Sequence, residues 1–232
     1  MVMLYISPDP EYIISTLMGR FYTIEEINPD LKLLSDNYQQ IVEEFKENKD
    51  KLTWTNWRGN NYYDAVQSNP YNGWEVASLF IEADDYVLEH MHYYKSVYDT
   101  EIYVDDEYGI AYSENAKFLP TLTETACKTG LKQRVGISVV HPGKQIDWHV
   151  DNDPKDDEHV TIRGLWGLEV NSNDDEYAFL ALNTQKGILS EHFENNKFMF
   201  FWGSTTHMVY NTLTTPRYCL CFDQKININD LI

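Results

Sequence analysis

The chain changes texture near Gly130. Upstream, apolar positions recur at helical spacing, whereas downstream they come in short branched or aromatic runs separated by turn residues. The downstream runs predict eight strands, at 134–141, 146–150, 160–170, 176–182, 187–191, 197–202, 207–212 and 216–223. That many short strands in so little chain suggests a mainly β fold with flanking helices. Its core would be a double-stranded β-helix, jelly-roll and cupin-like. The upstream pattern predicts a helix from Ser35, capped by Ser35 or Asp36 and carrying Tyr38, Ile41, Val42 and Phe45 inward. A second is expected from Asp84 to about Val97, and a third from Ser113 to Lys128, ended by Gly130. Residues 1–34 read as irregular, 50–75 as aromatic-rich loops and short strands, and 226–232 as a tail. The expectation is one domain over 1–232. A helical and irregular region, 1–130, would pack on a β-helix core, 131–225.

Composition narrows the function classes. A hydrophobic fraction of 43% and an aromatic fraction of 14% are ample for a packed core. The formal charge of −19, from 37 acids against 18 bases, argues against nucleic acid as a partner and against an anionic membrane surface. A single basic pocket stays compatible with that charge. Cys127, Cys219 and Cys221 are odd in number and lack metal-binding spacing, so they read as reduced thiols in a cytosol-like compartment. The first residues carry no basic, then apolar, signal pattern, and no segment reaches membrane-span length. A soluble cytoplasmic protein is expected.

Candidate chemistry centres on His149-Val150-Asp151, a lone His207, and Arg217 ten residues beyond it. In a strand, residues two apart point to the same side, so His149 and Asp151 can reach one ion. Two imidazoles and a carboxylate suit Fe(II) and leave coordination positions open. The arginine fork suits a carboxylate, because it meets both oxygens at once. Taken singly, each residue also has a bland reading. His149 and Asp151 could be a surface pair at the start of the acidic loop 151–158, His207 a hydrogen-bonded core histidine, and Arg217 a rim charge. Arg163 and Ser138, each facing away from the apolar side of its strand, are by themselves more easily structural.

The ordered motifs change that balance, because together they resemble the aspartyl/asparaginyl β-hydroxylase family of Fe(II)- and 2-oxoglutarate-dependent oxygenases. The resemblance rests on Ser138-Val139-Val140-His141-Pro142-Gly143 leading to His149, then Ile162-Arg163 and Gly167-Leu168. His207-Met208-Val209-Tyr210-Asn211 and Arg217 complete it. Asn72-Gly73-Trp74 and the helix over 33–45 match more loosely. The resemblance implies that His149, Asp151 and His207 hold the metal and carry catalysis. It also implies that Arg217 with Ser138 grips the far carboxylate of 2-oxoglutarate, that Arg163 lies by the near carboxylate, and that Trp74 lines the pocket. Asp151 completes a triad whose acid some family members lack, and Leu165 stands where some carry a histidine. His141 reads as structural.

The implied reaction consumes O2 and 2-oxoglutarate, releases succinate and CO2, and hydroxylates an amino-acid residue, in a peptide or free, or another small metabolite. The loop over 152–159 and the aromatic segment 54–74 are expected to border the mouth and choose the substrate. Two other readings share the fold: a cupin-like binding protein without turnover, and a metal enzyme that uses the same triad without an oxoacid. Neither needs both Arg217 and Ser138.

Overall fold

The structure is a computed structural model that describes residues 17, 19–56, 73–151, 158–173 and 175–231. The predicted strands are present, as β5 (Val135–Val140), β6 (Gln145–His149), β7 (His159–Glu169), β8 (Ala178–Thr184), β9 (Gly187–His192), β10 (Phe198–Trp202), β11 (His207–Asn211) and β12 (Arg217–Asn227). Four more precede them: β1 (Thr55–Asn56), β2 (Trp74–Glu82), β3 (Ile102–Asp105) and β4 (Ile110–Ser113). The larger sheet has the order β10-β7-β12-β5-β2-β4-β3, with β1 on β2, and the smaller has the order β6-β11-β8-β9. From β5 on, the chain passes back and forth between the two sheets, and neighbouring strands are antiparallel. That winding is a double-stranded β-helix, the jelly-roll seen in cupins.

Alternation along the larger sheet feeds two separate apolar layers. Val135, Ile137, Ile162, Trp166, Leu220 and Phe222 face the helices. Val140, Leu165 and Cys219 face the smaller sheet, where they meet Ile146, Leu180, Leu182 and Val209. Both faces of β5 are therefore buried, which is why Val-Gly-Ile-Ser-Val-Val reads as an almost unbroken apolar run.

The upstream region departs from expectation in several places. It is not only helical and irregular: β2 joins β5 directly and β4 and β3 extend the sheet beyond it. Within the span read as irregular, α1 (Ile24–Ile27) starts from a capping box between Thr23 and Glu26. The helix expected from Ser35 is two, α2 (Lys32–Asp36) and α3 (Tyr38–Asn48), so Ser35 and Asp36 end one rather than cap the other. The second splits at His90 into α4 (Asp85–Glu89), capped by Asp84, and α5 (Met91–Tyr98). The third splits at Leu119 into α6 (Glu114–Phe118) and α7 (Pro120–Lys128), because Pro120 disfavours helical backbone in the residue before it. Gly130 does end that segment, at φ +79°. Residues 226–231 are no tail, since β12 runs to Asn227 and Leu231 is buried. No helix among the described residues is long and apolar enough to cross a membrane. Trp57, Tyr62, Tyr63 and the loop over 152–157 lie outside the described residues.

Candidate metal centre

His149 ends β6 and His207 begins β11, and the two are Cα partners across the smaller sheet. Strict alternation would set His149 on the face opposite Ile146, three residues earlier. The pairing avoids this: Ile146 sits opposite Val209 and His149 opposite His207, so three steps on β6 span two on β11. That bulge turns both Ile146 and His149 toward the larger sheet. A bulge beside a functional group commonly re-aims a side chain in this way.

The two rings are held alike. His149 Nδ1 lies 2.6 Å from the carbonyl of Asp147, and His207 Nδ1 lies 2.7 Å from that of Thr205. A carbonyl only accepts, so in the neutral rings Nδ1 carries the hydrogen and Nε2 presents its lone pair. Burial drives the His207 imidazole down to about 4, outweighing the opposing pull of Asp151, so at neutral pH that lone pair is available.

Asp151 follows β6, its amide bonded to the carbonyl of Gly203. Its Oδ2 lies 3.6 Å from His207 Nε2 and 2.5 Å from Arg163 Nη1. The Arg163 contact is close but poorly directed, and Oδ2 has no hydrogen-bond partner although it is buried. One donor atom from each of His149, Asp151 and His207 lies within 4.8 Å of the other two. A buried carboxylate oxygen without a donor, facing two imidazole lone pairs, fits a divalent cation.

The other candidates line the same inner face of the larger sheet. Arg217 pairs with Val140, Cys219 with Ser138, and Val76 with Ser138 from the other side. Arg217 is 1% exposed. Its guanidinium stacks 4.3 Å over the Phe193 ring, Nη1 lies 2.6 Å from Cys219 Sγ, and Nε has no hydrogen-bond partner. No carboxylate pairs with it among the described residues. Trp74 Nε1 donates to Ser138 Oγ at 2.9 Å, and both are buried. A cavity along this face is lined by Trp74, Val76, Gly136, Arg163 and Cys221, among others.

Arg163 is tied down. Its Nε and Nη2 fork onto Asp223 at 2.7 and 3.1 Å, while Arg134 grips Asp223 Oδ2 from the other side at 2.6 and 3.0 Å. His141 pairs with Glu75 at 2.6 Å and has no part in the cluster.

The family model for aspartyl/asparaginyl beta-hydroxylase matches residues 35–225. The chain belongs to that family. No curated protein matches this hydroxylase-family chain in sequence. Among solved structures, a prolyl hydroxylase from Trichoplax adhaerens, in complex with a hypoxia inducible factor peptide fragment, is 14% identical. The match covers 84% of this chain and 80% of that one, with a TM-score of 0.47. A Pseudomonas putida prolyl-4-hydroxylase is also 14% identical, over 87% and 99% of the two chains, at 0.45. A Bordetella pertussis cupin domain is 14% identical over 39% and 80%, at 0.27.

Two residues around this hydroxylase-family site were not singled out in the sequence: Asp223 and Phe193. Asp223 had a usable signal. It continues the 217, 219, 221 alternation, so a carboxylate on the inner face was readable. Phe193 lies outside the strands and carried none.

Proposed function

We propose that the chain is an Fe(II)- and 2-oxoglutarate-dependent dioxygenase that hydroxylates an amino-acid residue or small metabolite, with release of succinate and CO2. One observation carries the reading. Three convergent metal-type donors share the inner faces of the two sheets with a buried arginine that lacks a carboxylate partner among the described residues. A lone metal site needs no such arginine, whereas a dicarboxylate cosubstrate does.

His149, Asp151 and His207 would hold the iron. Bound there, iron supplies the activation of O2 that drives oxidative decarboxylation of the oxoacid and hydroxylation of a C–H bond. The chain's own groups do the positioning. The carbonyls of Asp147 and Thr205 fix the imidazole rings, so their Nε2 atoms need no reorganisation to bind. Arg217 offers its unpartnered edge to the far carboxylate, in surroundings dry enough to strengthen the pairing. Trp74 donates to the Ser138 oxygen, which leaves the serine's own hydrogen to donate. Leu165, Leu180, Val209 and Phe201 belong to the apolar layer between the two sheets, and the Phe201 ring packs on His207 with centroids 4.6 Å apart.

The test is anaerobic incubation with iron and 2-oxoglutarate, followed by oxygen, with succinate measured across a panel of free amino acids and peptides. Succinate should require both iron and 2-oxoglutarate, rise with at least one panel member, and vanish in His207→Ala. Iron-loaded wild-type protein that forms no succinate with any member would contradict the reading.

A further inference from the structure

Arg163 is more heavily committed than a cosubstrate ligand needs to be. Each of its three guanidinium nitrogens meets an aspartate: Nε and Nη2 meet Asp223, and Nη1 meets Asp151. Asp223 is in turn clasped by Arg134. The four side chains alternate in charge from Arg134, partly exposed, through Asp223 and Arg163, both buried, to Asp151 at the metal centre. The two positive and two negative charges cancel, so the row brings no spare cation to an incoming carboxylate.

The geometry points to Arg163 as a positioning residue for the metal-binding carboxylate of Asp151, with Asp223 fixing Arg163 in turn. This inference rests on the metal-site reading above. It departs from the expectation that Arg163 serves the near carboxylate of the cosubstrate.

Three observations support it. First, Asp151 Oδ2 is buried without a hydrogen-bond donor, and Arg163 is the cation against it. Without that contact the carboxylate would be free to turn away from the two imidazoles, and a misdirected carboxylate is a poor ligand. Second, a guanidinium spans two carboxylates because its nitrogens are fixed in a plane, so Asp223 sets where Nη1 points. Third, Asp223 stays ionised to reach this end: burial works against its charge, but Arg163 and Arg134 overcome burial and hold the carboxyl at about 2.

The test separates metal binding from cosubstrate binding. Mn2+ affinity is measured on the metal-free protein by the spin-resonance signal of free Mn2+, and 2-oxoglutarate affinity by calorimetry at saturating Mn2+. Wild type, Arg163→Gln, Arg163→Lys and Asp223→Asn are compared, with melting curves to confirm folding. Arg163→Gln and Arg163→Lys should each lose about tenfold or more in Mn2+ affinity, with Asp223→Asn following in the same direction. Their 2-oxoglutarate affinities should stay within about threefold of wild type, as expected for groups that do not share a partner. In an Asp151→Ala background, Arg163→Gln should change Mn2+ affinity by less than about twofold, because its partner is gone.

A merely structural arginine would instead lower Mn2+ affinity equally in both backgrounds, which would overturn the inference. Unchanged Mn2+ binding with a tenfold loss of 2-oxoglutarate binding would also overturn it, returning Arg163 to the cosubstrate. If Asp223→Asn fails to fold, Arg163→Lys carries the decision, since it keeps the charge but loses the fork. Wild-type protein that takes up no Mn2+ would sink the metal-site reading and this inference together. Uptake that is equal in wild type and Arg163→Gln would sink this inference alone.

Discussion

His149 and His207 face each other across β6 and β11 with ring centroids 4.1 Å apart, and each ring is held through Nδ1 by the carbonyl two residues before it. The matched restraint points both Nε2 atoms into the same space, toward Asp151. His207→Ala should therefore lose metal rather than fold. Mn2+ affinity is expected to fall by about 100-fold or more, beyond the cost of losing an outer-shell partner. A titration following free Mn2+ checks this, and binding equal to wild type would remove His207 from the centre.

Arg217 sits under Phe193 and touches none of the three metal donors. Removing a buried charge that pairs with a ligand costs several kcal/mol. Arg217→Ala should thus weaken 2-oxoglutarate binding on the order of 100-fold while leaving Mn2+ affinity intact. Arg217→Lys should restore little, because an ammonium cannot copy the planar fork. Calorimetry on Mn2+-loaded protein checks both variants. Equal affinities in wild type and Arg217→Ala would remove the anchor role.

Asp223 links the fold to pH. Burial alone would raise its carboxyl, but Arg163 and Arg134 hold it at about 2, below the ordinary 3.8. A carboxyl depressed on folding stabilises the protein above its unfolded value, and that gain is lost as pH falls through the folded value. The difference amounts to about 2 kcal/mol, present above pH ~4 and disappearing toward pH ~2. Asp223→Asn should be less stable than wild type at pH 7, and the gap should narrow by that amount on acidification. Urea denaturation at a series of pH values from neutral to acid measures it, and a gap independent of pH would contradict the assignment.

Two glycines of β7 differ in what stands over them. A Cβ at Gly164 would lie 2.3 Å from two atoms of the Phe222 ring, whereas one at Gly167 would lie 2.0 Å from the main-chain oxygen of Glu194. A ring can shift in the helix-side layer, but a backbone oxygen fixed in its own turn cannot. Gly167→Ala should then be the more damaging, costing about 3 kcal/mol or more against about 1–2 kcal/mol for Gly164→Ala. Thermal melts of the two variants test the order. The reverse order would mean that the turn at Glu194 yields more easily than the packing of Phe222.

Much of this was legible because strands announce themselves by alternation. The predicted strands from β5 to β12 were found in place, and the faces of Ser138 and Arg163 followed from counting by two. His149 with His207 was legible in residue type but not in geometry. The extra residue in β6 that turns His149 inward is a property of the pairing with β11, and no local pattern encodes it. Helix breaks at His90 and Leu119 were missed for different reasons. The second was readable from Pro120, while at His90 the apolar spacing continued across the interruption. The commitment of Arg163 to Asp223 was hidden because the partners lie sixty residues apart and meet only through the β7–β12 register. Strand β2 was obscured by its setting at the end of an aromatic-rich stretch that reads as loop.

The most direct measurement is diffraction from crystals grown with Mn2+ and 2-oxoglutarate, using the anomalous signal to locate the metal. The expected result is one Mn2+ bound by Nε2 of His149, Nε2 of His207 and the carboxylate of Asp151, with the far carboxylate of 2-oxoglutarate on Arg217. A metal held elsewhere, or a 2-oxoglutarate whose far carboxylate leaves Arg217 untouched, would contradict the central claim.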